Sequence, residues 1–410
     1  MTSEYSVLLS IVGYRLFGGS RPATEGFDIP EILSEAKKQT VFSLVFPFLR
    51  DKLKKASPKD FAKYNEVFYG NIMKNTSNHM QHGELHKLMT EGFVPYCVLK
   101  GYASALYYPD PTVREMGDVD FLVYEKDFKR AAKLVESIGF VPDQEDDGKQ
   151  IHIGYKRDQL SVWEQHRSLN GIPKGEPGDK IRLEITKTIE TSRLIAAEDF
   201  CCMVPDDFHH GLIMLLHVAS HLTGEGIGLR HLCDWAVFVN KTGSEVFPKI
   251  FEQRLREFGL WKLAQILTLL SEKYLRLKAQ AWAKNAEISD RQLDDLMVDI
   301  LNGGNFGKKD MNRYREIKYI SNRGEHTVDD RSIASQAVST LNKKIYSQHK
   351  IIKKYKILLP VGWAAEIGKY SALLLTGKRK TAKTSSMLKE AAARKSIYQI
   401  MELFETNTTI

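Results

Sequence analysis

The hydrophobic periodicity of this 410-residue chain changes twice, and these changes constrain its fold more than any other feature. Apolar residues at three- and four-residue spacing predict helices at 29–49 and 61–88, with Asp28 and Pro30 as a cap and first-turn pair. Short apolar runs of strand length follow, and helical periodicity then returns. This order predicts an α+β protein, in which a small mixed sheet is flanked by N-terminal helices and a larger C-terminal helical region.

The middle of the chain mixes strands with short helices. Four runs have the length and composition of β-strands: 94–99, 119–124, 151–155 and 160–166. Helices are predicted at 103–108 and at 127–138, the second with Asp127 as its cap. Residues 156–159 are predicted to join the last two strands as a hairpin, and the Gly-, Pro- and charge-rich stretch 170–180 is predicted to be a loop.

Helical periodicity dominates the remainder of the chain. The predicted helices are 210–222, 229–240, 249–258, 261–277 and 386–404, while 302–342 is polar and gives no clear pattern. We therefore divide the chain into four regions: N-terminal helices at 1–90, an α/β core at 91–200, a helical domain at 201–342 and a basic helical segment at 343–410.

The positive charge of the chain is concentrated near its C-terminal end. Residues 343–383 contain eleven Lys or Arg and one acid, Glu366, a local surplus of ten, whereas the whole chain carries +8. Such a segment is suited to RNA, an anionic membrane surface or a polyphosphate. The alternative is a solvated face, on which lysines extend over apolar surface.

Composition indicates a soluble globular protein, with 43% hydrophobic and 27% charged residues. The N-terminus lacks the pattern of a signal peptide, and charges interrupt the apolar run 357–377, so we predict no stable membrane insertion. The four cysteines have no C-x-x-C spacing and predict no disulfide framework. These features favour a reducing cytoplasm; the oligomeric state is not predicted.

Two carboxylates at the start of a predicted strand are the strongest chemical signal. Side chains alternate along a strand, so Asp118 and Asp120 share a face, and Gly117 before them allows close backbone approach. Paired oxygen ligands of this kind suit Mg²⁺ held together with substrate phosphates. The alternative is that such an Asp-x-Asp pair is surface or turn chemistry.

A third carboxylate lies on the predicted strand 160–166. Two-metal phosphoryl or nucleotidyl transfer requires a further acid, and Glu164 either completes the metal cage or accepts the proton of an attacking hydroxyl. His166 shares the face of Glu164 and, with Arg167, is placed to contact phosphate. The carboxylates converge if this strand pairs near the strand of Asp118.

Several motifs together carry a family resemblance. They are Leu99-Lys100-Gly101, Tyr108-Pro109-Asp110, Arg114, Gly117-Asp118-Val119-Asp120-Phe121-Leu122-Val123, Glu164-Gln165-His166, Leu215-Leu216-His217, Ser220-His221-Leu222, Gly228-Leu229-Arg230-His231-Leu232-Cys233-Asp234-Trp235 and Leu358-Leu359-Pro360-Val361-Gly362-Trp363. This set resembles the uncharacterised nucleotidyltransferase family of the polymerase-beta-like superfamily, from the early helices to about residue 375.

The resemblance implies a minimal nucleotidyltransferase core that transfers a nucleoside monophosphate from a nucleoside triphosphate to an unknown hydroxyl- or phosphate-bearing acceptor, with Mg²⁺ or Mn²⁺. The implied catalytic and metal-binding residues are Asp118, Asp120 and Glu164. The implied nucleotide-binding residues are Lys100 and Gly101, with Arg114 near them, and the positions of Gly117 and His166 beside the acids add these two residues to the nucleotide-binding set. The superfamily usually has Gly-Gly or Gly-Ser in the first turn, where this chain has Lys100-Gly101.

Four residues of the helical half are candidates for an acceptor cleft: His217, His221, Arg230 and Asp234. The two histidines have the i, i+4 spacing of a zinc site, but Val218 stands where an H-E-x-x-H motif has its glutamate. The alternatives are buried, hydrogen-bonded histidines and an Arg230–Asp234 ion pair within one helix.

Three functions therefore stay open at this point. The first is an active metal-dependent nucleotidyltransferase, whose acceptor is a small molecule, a protein or RNA. The second is a catalytically silent relative that binds a nucleotide or a partner, as the altered first turn suggests. The third is an RNA-directed enzyme that uses the basic segment 343–383 for phosphate contacts.

Overall fold

The computed structural model describes residues 2–196, 200–307, 309, 313, 320, 328, 331–375 and 382–406. Their α-helices are α1 Ser3–Phe17, α2 Ile29–Lys38, α3 Phe42–Ala56, α4 Pro58–Glu91, α5 Gly101–Ala105, α6 Phe128–Ser137, α7 Glu176–Lys187, α8 Asp207–Leu222, α9 Leu229–Thr242, α10 Val246–Glu257, α11 Trp261–Leu275, α12 Asp290–Gly303, α13 Ile333–Gln348, α14 Lys350–Lys354, α15 Leu359–Leu375 and α16 Ala382–Gln399. Their strands are β1 Tyr96–Val98, β2 Asp118–Val123, β3 Val141–Pro142, β4 His152–Lys156, β5 Val162–His166, β6 Arg193–Ala196 and β7 Cys201–Val204.

The sheet that positions the site has five strands in the order β1-β2-β5-β4-β3. Strands β2 and β5 are parallel, and the other neighbours are antiparallel. Strands β6 and β7 form a separate antiparallel pair. The structure confirms the predicted α+β class with a small mixed sheet.

The two faces of this sheet have different environments because side chains alternate along each strand. Val119, Phe121 and Val123 of β2 are buried with Trp163 of β5 in one core, which also contains residues of α4 and α6. Leu122, on the other face, belongs to a larger core built mainly from the helices. The face that carries Asp118 and Asp120 is therefore turned toward the helical half of the chain.

The predicted helix 29–49 is two helices in the structure. Asp28 caps α2 by accepting a hydrogen bond from the Glu31 amide, as predicted. The break follows at Thr40, whose φ of 56° is left-handed. Gln39, fully buried, donates to the Leu301 carbonyl and accepts from the Leu229 amide. Tertiary hydrogen bonds thus stabilise an interruption that hydrophobic spacing does not reveal.

Other predictions are corrected in detail. Asp127 precedes α6 but makes no side-chain cap, and its carboxylate instead accepts a hydrogen bond from Arg130. The predicted loop 170–180 contains the start of α7, which Gly175 precedes with a φ of 83°. The hairpin connection between β4 and β5 spans residues 157–161, not 156–159.

Some elements lie where no element was predicted. These are the pair β6–β7, helix α12, with a capping box formed by Ser289 and Gln292, and helix α13, which begins within the polar region 302–342. The last predicted helix, 386–404, is Ala382–Gln399 in the structure. The division of the chain into four regions stays a prediction.

The basic segment 343–383 lies partly outside the described residues, because 376–381 are not among them. Within the described part, Ile351, Ile357 and Val361 are exposed between lysines. Among the helices that the structure describes, none is long and apolar enough to cross a membrane. All four cysteines are free.

Candidate functional site

Strand register brings the three predicted carboxylates together. In the parallel pair of β2 and β5, Asp118 lies opposite Val162 and Asp120 lies opposite Glu164. Asp118, Asp120 and Glu164 therefore share one face of the sheet, and one carboxylate oxygen of each lies within 4.8 Å of the others. Three acids at such short range require a balancing positive charge.

Two side chains of the protein supply part of that charge to Asp120, which is only 3% exposed. Lys100 Nζ lies 3.3 Å from Asp120 Oδ1, and His166 Nε2 lies 2.9 Å from the same oxygen. Burial raises the pKa of Asp120, but these two neighbours outweigh it and lower the pKa below its usual 3.8. Asp120 is therefore ionised.

Asp118 is less well compensated. The neighbouring Asp120 and then burial raise the pKa of Asp118 to about 6, against the opposing effect of Lys100. A divalent cation would relieve this repulsion, and a set of carboxylate oxygens is the donor chemistry of Mg²⁺ and Mn²⁺. The residues present at this face thus fit the ion that the sequence predicts.

The first turn of the motif positions Lys100. This residue precedes α5 with a φ of 47°, and Gly101 follows with a φ of 34°. A non-glycine residue rarely adopts this conformation, which is often retained at functional sites. Burial lowers the pKa of Lys100, but Asp120, Asp118 and Glu164 outweigh it and raise the pKa, so the amine stays charged.

The acidic face lines a cleft that α8 and α9 close on the other side. The cleft is partly open to solvent. Its lining residues are Lys100, Gly101, Ser104, Arg114, Gly117, Asp118, Asp120, Met214, His217, Val218, Arg230, His231 and Asp234. A Cβ atom on Gly117 would meet nothing within 4 Å, so this edge of the cleft is open.

Arg114 and Asp234 form a buried bidentate ion pair across the cleft. Arg114 Nε lies 2.9 Å from Asp234 Oδ1 and Nη2 lies 2.7 Å from Oδ2, while the Tyr108 hydroxyl donates to Oδ1 at 2.8 Å. Asp234 thus pairs with an arginine far away in sequence. Arg230, which the sequence offered as a partner of Asp234 within one helix, donates a hydrogen bond to the Glu115 carbonyl at 3.1 Å.

The predicted acceptor-cleft histidines lie next to a third histidine. The His217 ring is centred 4.4 Å from His221 and 5.2 Å from His231. Burial lowers the pKa values of His217 and His231 well below 6.5, so both rings are neutral near pH 7. In the described parts of the chain, the groups with converging metal-ligand atoms do not include these histidines. The structure thus gives the zinc alternative no support.

One residue of the site was missed in the sequence. His152 on β4 lies opposite His166 on β5, and its Nε2 is 4.0 Å from Glu164 Oε2. His152 lies at the start of the predicted strand 151–155. Because side chains alternate along a strand, the sequence already indicated that His152 and Ile153 lie on opposite faces of the sheet. The predicted hairpin connection, however, would have placed it at a different register.

Asp118→Asn is expected to stabilise the ion-free protein at neutral pH by about 1–3 kcal/mol, or a few degrees in Tm. The raised pKa of Asp118, about 6 against 3.8, means that ionisation costs more in the folded than in the unfolded chain. The gain is therefore absent below about pH 4, grows through this window and is complete above about pH 6.

Thermal unfolding in EDTA at about pH 4 and about pH 7.5 measures this effect. Asp158→Asn is the matched control, because Asp158 is exposed in the β4–β5 connection and asparagine tolerates its φ of 43°. Equal Tm values for Asp118→Asn and the unsubstituted protein at about pH 7.5 would contradict the repulsion described here.

Comparison with known proteins gives one family match. A family model described as "uncharacterised nucleotidyltransferase" matches residues 25–276, more than half of the chain. Among solved structures, an antigenic nucleotidyltransferase-like protein from Paracoccidioides brasiliensis is similar, with 16% sequence identity and a TM-score of 0.34, over 51% of this chain and 96% of that one. Among curated proteins, no sequence matches this chain.

Proposed function

Because this chain belongs to the uncharacterised nucleotidyltransferase family, we propose that it transfers a nucleoside monophosphate from a nucleoside triphosphate to a hydroxyl- or phosphate-bearing acceptor. The observation that carries this proposal is the convergence of Asp118, Asp120 and Glu164 on one face of the sheet, where Asp118 and Asp120 line the cleft. Three acids at this spacing, two of which raise each other's energy when ionised, form an arrangement that a divalent ion stabilises.

The three carboxylates would hold Mg²⁺ or Mn²⁺. When bound, such an ion supplies Lewis-acid stabilisation of charge on the phosphate oxygens. Glu164 either completes the ligand set or accepts the proton of the acceptor hydroxyl. His166 orients Asp120 through its 2.9 Å hydrogen bond.

The charges around the cleft assign a side to each substrate. Lys100 and Arg230 border the acidic face and provide positive charge for a triphosphate. Gly101 and Gly117 have no side chains, so the protein backbone at these positions is accessible to the triphosphate. Arg114 is engaged by Asp234, so its role is to hold the cleft wall near the triphosphate. His217 and Asp234 line the remaining wall, and the His221 ring is centred 4.4 Å from the His217 ring. These residues form the proposed acceptor side.

Both proposed sides border one cleft. The acids Asp118 and Asp120 line it together with His217 and Asp234. Its walls come from β2, α5, α8 and α9 and from the connections that precede α5 and β2. We therefore infer that nucleotide and acceptor meet in this cleft.

A second candidate function rests on Lys100. Its Nζ already neutralises Asp120 at 3.3 Å, in a turn where the wider superfamily usually has small residues. A catalytically silent relative that binds nucleotide or a partner would use the cleft in the same way. Calorimetry with ATP and Mg²⁺ distinguishes the two, because a silent relative binds without turnover on any acceptor offered.

Nucleoside triphosphates labelled at either the α- or the γ-phosphate, incubated with the full chain, Mg²⁺ and a cell extract, test the proposal. We expect the α label to appear on an acceptor and the γ label to appear in pyrophosphate. EDTA should prevent both. Transfer of the γ label to an acceptor beyond that seen with the extract alone would identify a kinase instead, and release of the γ label as inorganic phosphate with no α label on any acceptor would identify a hydrolase. Either result would overturn the proposal.

A further inference from the structure

A second group of converging ligand atoms adjoins the three carboxylates. It consists of His152, Glu164 and His166, and one ligand atom of each lies within 4.8 Å of the others. The group is built by the antiparallel register of β4 and β5, which places His152 directly opposite His166. The two rings are 4.9 Å apart between centroids and inclined by 32°.

The same nitrogen of each ring faces Glu164. His166 Nε2 lies 3.5 Å from Glu164 Oε2, and His152 Nε2 lies 4.0 Å from that oxygen. The Nδ1 atoms of both rings are buried and have no hydrogen-bond partner among the described residues. Two imidazole nitrogens and one carboxylate oxygen thus lie close to one another.

These separations are close to those of a metal site. Ligands at about 2.0–2.2 Å from one ion are separated from each other by about 3.0–3.5 Å. The distance from His166 to Glu164 is at the upper end of this range, and the distance from His152 to Glu164 exceeds it by about half an ångström. His152 is 35% exposed and can make this adjustment without repacking the core.

Imidazole changes which ion is preferred. Mg²⁺ selects oxygen ligands in near-ideal octahedral geometry, whereas imidazole nitrogen favours Fe²⁺, Co²⁺ and Zn²⁺. Two histidines and one carboxylate also leave coordination positions open for water or substrate. The donor set therefore differs in kind from the all-oxygen set of Asp118, Asp120 and Glu164.

We propose that His152, Glu164 and His166 bind a first-row transition-metal ion of the Fe²⁺, Co²⁺ or Zn²⁺ class, next to the carboxylate position and sharing Glu164 with it. That the ion binds here is inferred from the ligand geometry alone. That the ion also takes part in nucleotidyl transfer rests on the proposed function. The site deepens that function, because it gives the protein two adjacent ion positions with different metal preferences.

The two positions are linked through His166. Its Nε2 contacts Asp120 Oδ1 at 2.9 Å, and the same atom faces Glu164. His166 cannot donate a hydrogen bond from Nε2 to Asp120 while that nitrogen coordinates an ion. Binding at the histidine position therefore competes with the hydrogen bond between His166 and Asp120.

Titration of the metal-free full chain with Co²⁺ tests the proposal, since Co²⁺ reports its ligands by visible absorption and by shifted NMR signals of coordinated rings. We expect tight binding, with shifted, solvent-exchangeable ring N–H signals from two histidines. His152→Gln should weaken Co²⁺ binding at least about tenfold and remove one ring signal. His349→Gln, a substitution outside the sheet, is the matched control and should leave both unchanged.

Asp118→Asn separates this inference from the proposed function. Asp118 is not a member of the histidine group, so this variant should keep both ring signals with Co²⁺ even where nucleotidyl transfer is lost. Absence of shifted ring signals in the unsubstituted protein would overturn the proposal and leave the carboxylate function standing. Unchanged Co²⁺ affinity in a folded His152→Gln variant would overturn it as well. Absence of transfer with both ring signals present would contradict the proposed function alone.

Discussion

Asp120→Asn is expected to reduce nucleotidyl transfer by about a thousandfold or more while the protein stays folded. Asparagine has the shape of aspartate, but it carries no charge to balance a divalent ion. The loss should exceed that of a surface acid because Asp120 is 3% exposed and lies at the centre of the group, in contact with Lys100 and His166. Asp118→Asn is expected to have an effect of the same order.

The measurement is the rate of pyrophosphate release under saturating nucleoside triphosphate and Mg²⁺, once an acceptor has been identified. Asp158→Asn is the control. It removes an exposed carboxylate from the connection between β4 and β5 and should leave the rate unchanged. Circular dichroism and Tm establish that each variant is folded. A folded Asp120→Asn variant with more than about a tenth of the original rate would exclude a metal-dependent mechanism at this site.

Asp234→Ala is expected to lower the free energy of unfolding by about 3–5 kcal/mol. The substitution leaves Arg114, which is 6% exposed, as a buried charge without its bidentate partner, and it also removes the acceptor of the Tyr108 hydroxyl. Because Arg114 precedes β2 and Asp234 lies on α9, the pair joins the two walls of the cleft. Loss of the pair should therefore reduce activity as well as stability.

Chemical denaturation monitored by fluorescence measures the change. Glu252→Ala is the control, since it breaks an exposed i, i+4 ion pair with Arg256 and should cost less than about 0.5 kcal/mol. Tyr108→Phe should fall between the two, at about 1–2 kcal/mol, because it removes one buried hydrogen bond and keeps the ion pair. A loss below about 1 kcal/mol for Asp234→Ala would show that Arg114 finds another partner.

The alternation of side chains within one strand was sufficient to predict which site residues of that strand share a face. Alternation places Asp118 and Asp120 on one face whatever the surroundings, and Glu164 and His166 on one face of the other strand. Their common location was conditional on the pairing of the two strands. The structure satisfies that condition through the parallel register in which Asp120 lies opposite Glu164.

Connection length explains why His152 was missed. The register of a hairpin depends on its loop, and a change in loop length shifts each pairing along the strand. The predicted connection 156–159 would pair Tyr155 with Leu160, whereas the structure pairs Tyr155 with Trp163. Because of that shift of three residues, the structure places His152 opposite His166, whereas the predicted register would have separated the two histidines.

The α+β class, the acidic motif and the helical character of the second half were all determined by the sequence, because each depends on periodicity within a short segment. The tertiary structure decided which segments meet. Contacts such as Arg114 with Asp234, Gln39 with Leu229 and His152 with Glu164 join residues that are distant in sequence or set by register. Their energies come from burial, hydrogen bonding and charge pairing across the fold, which the pattern of a short segment does not reveal.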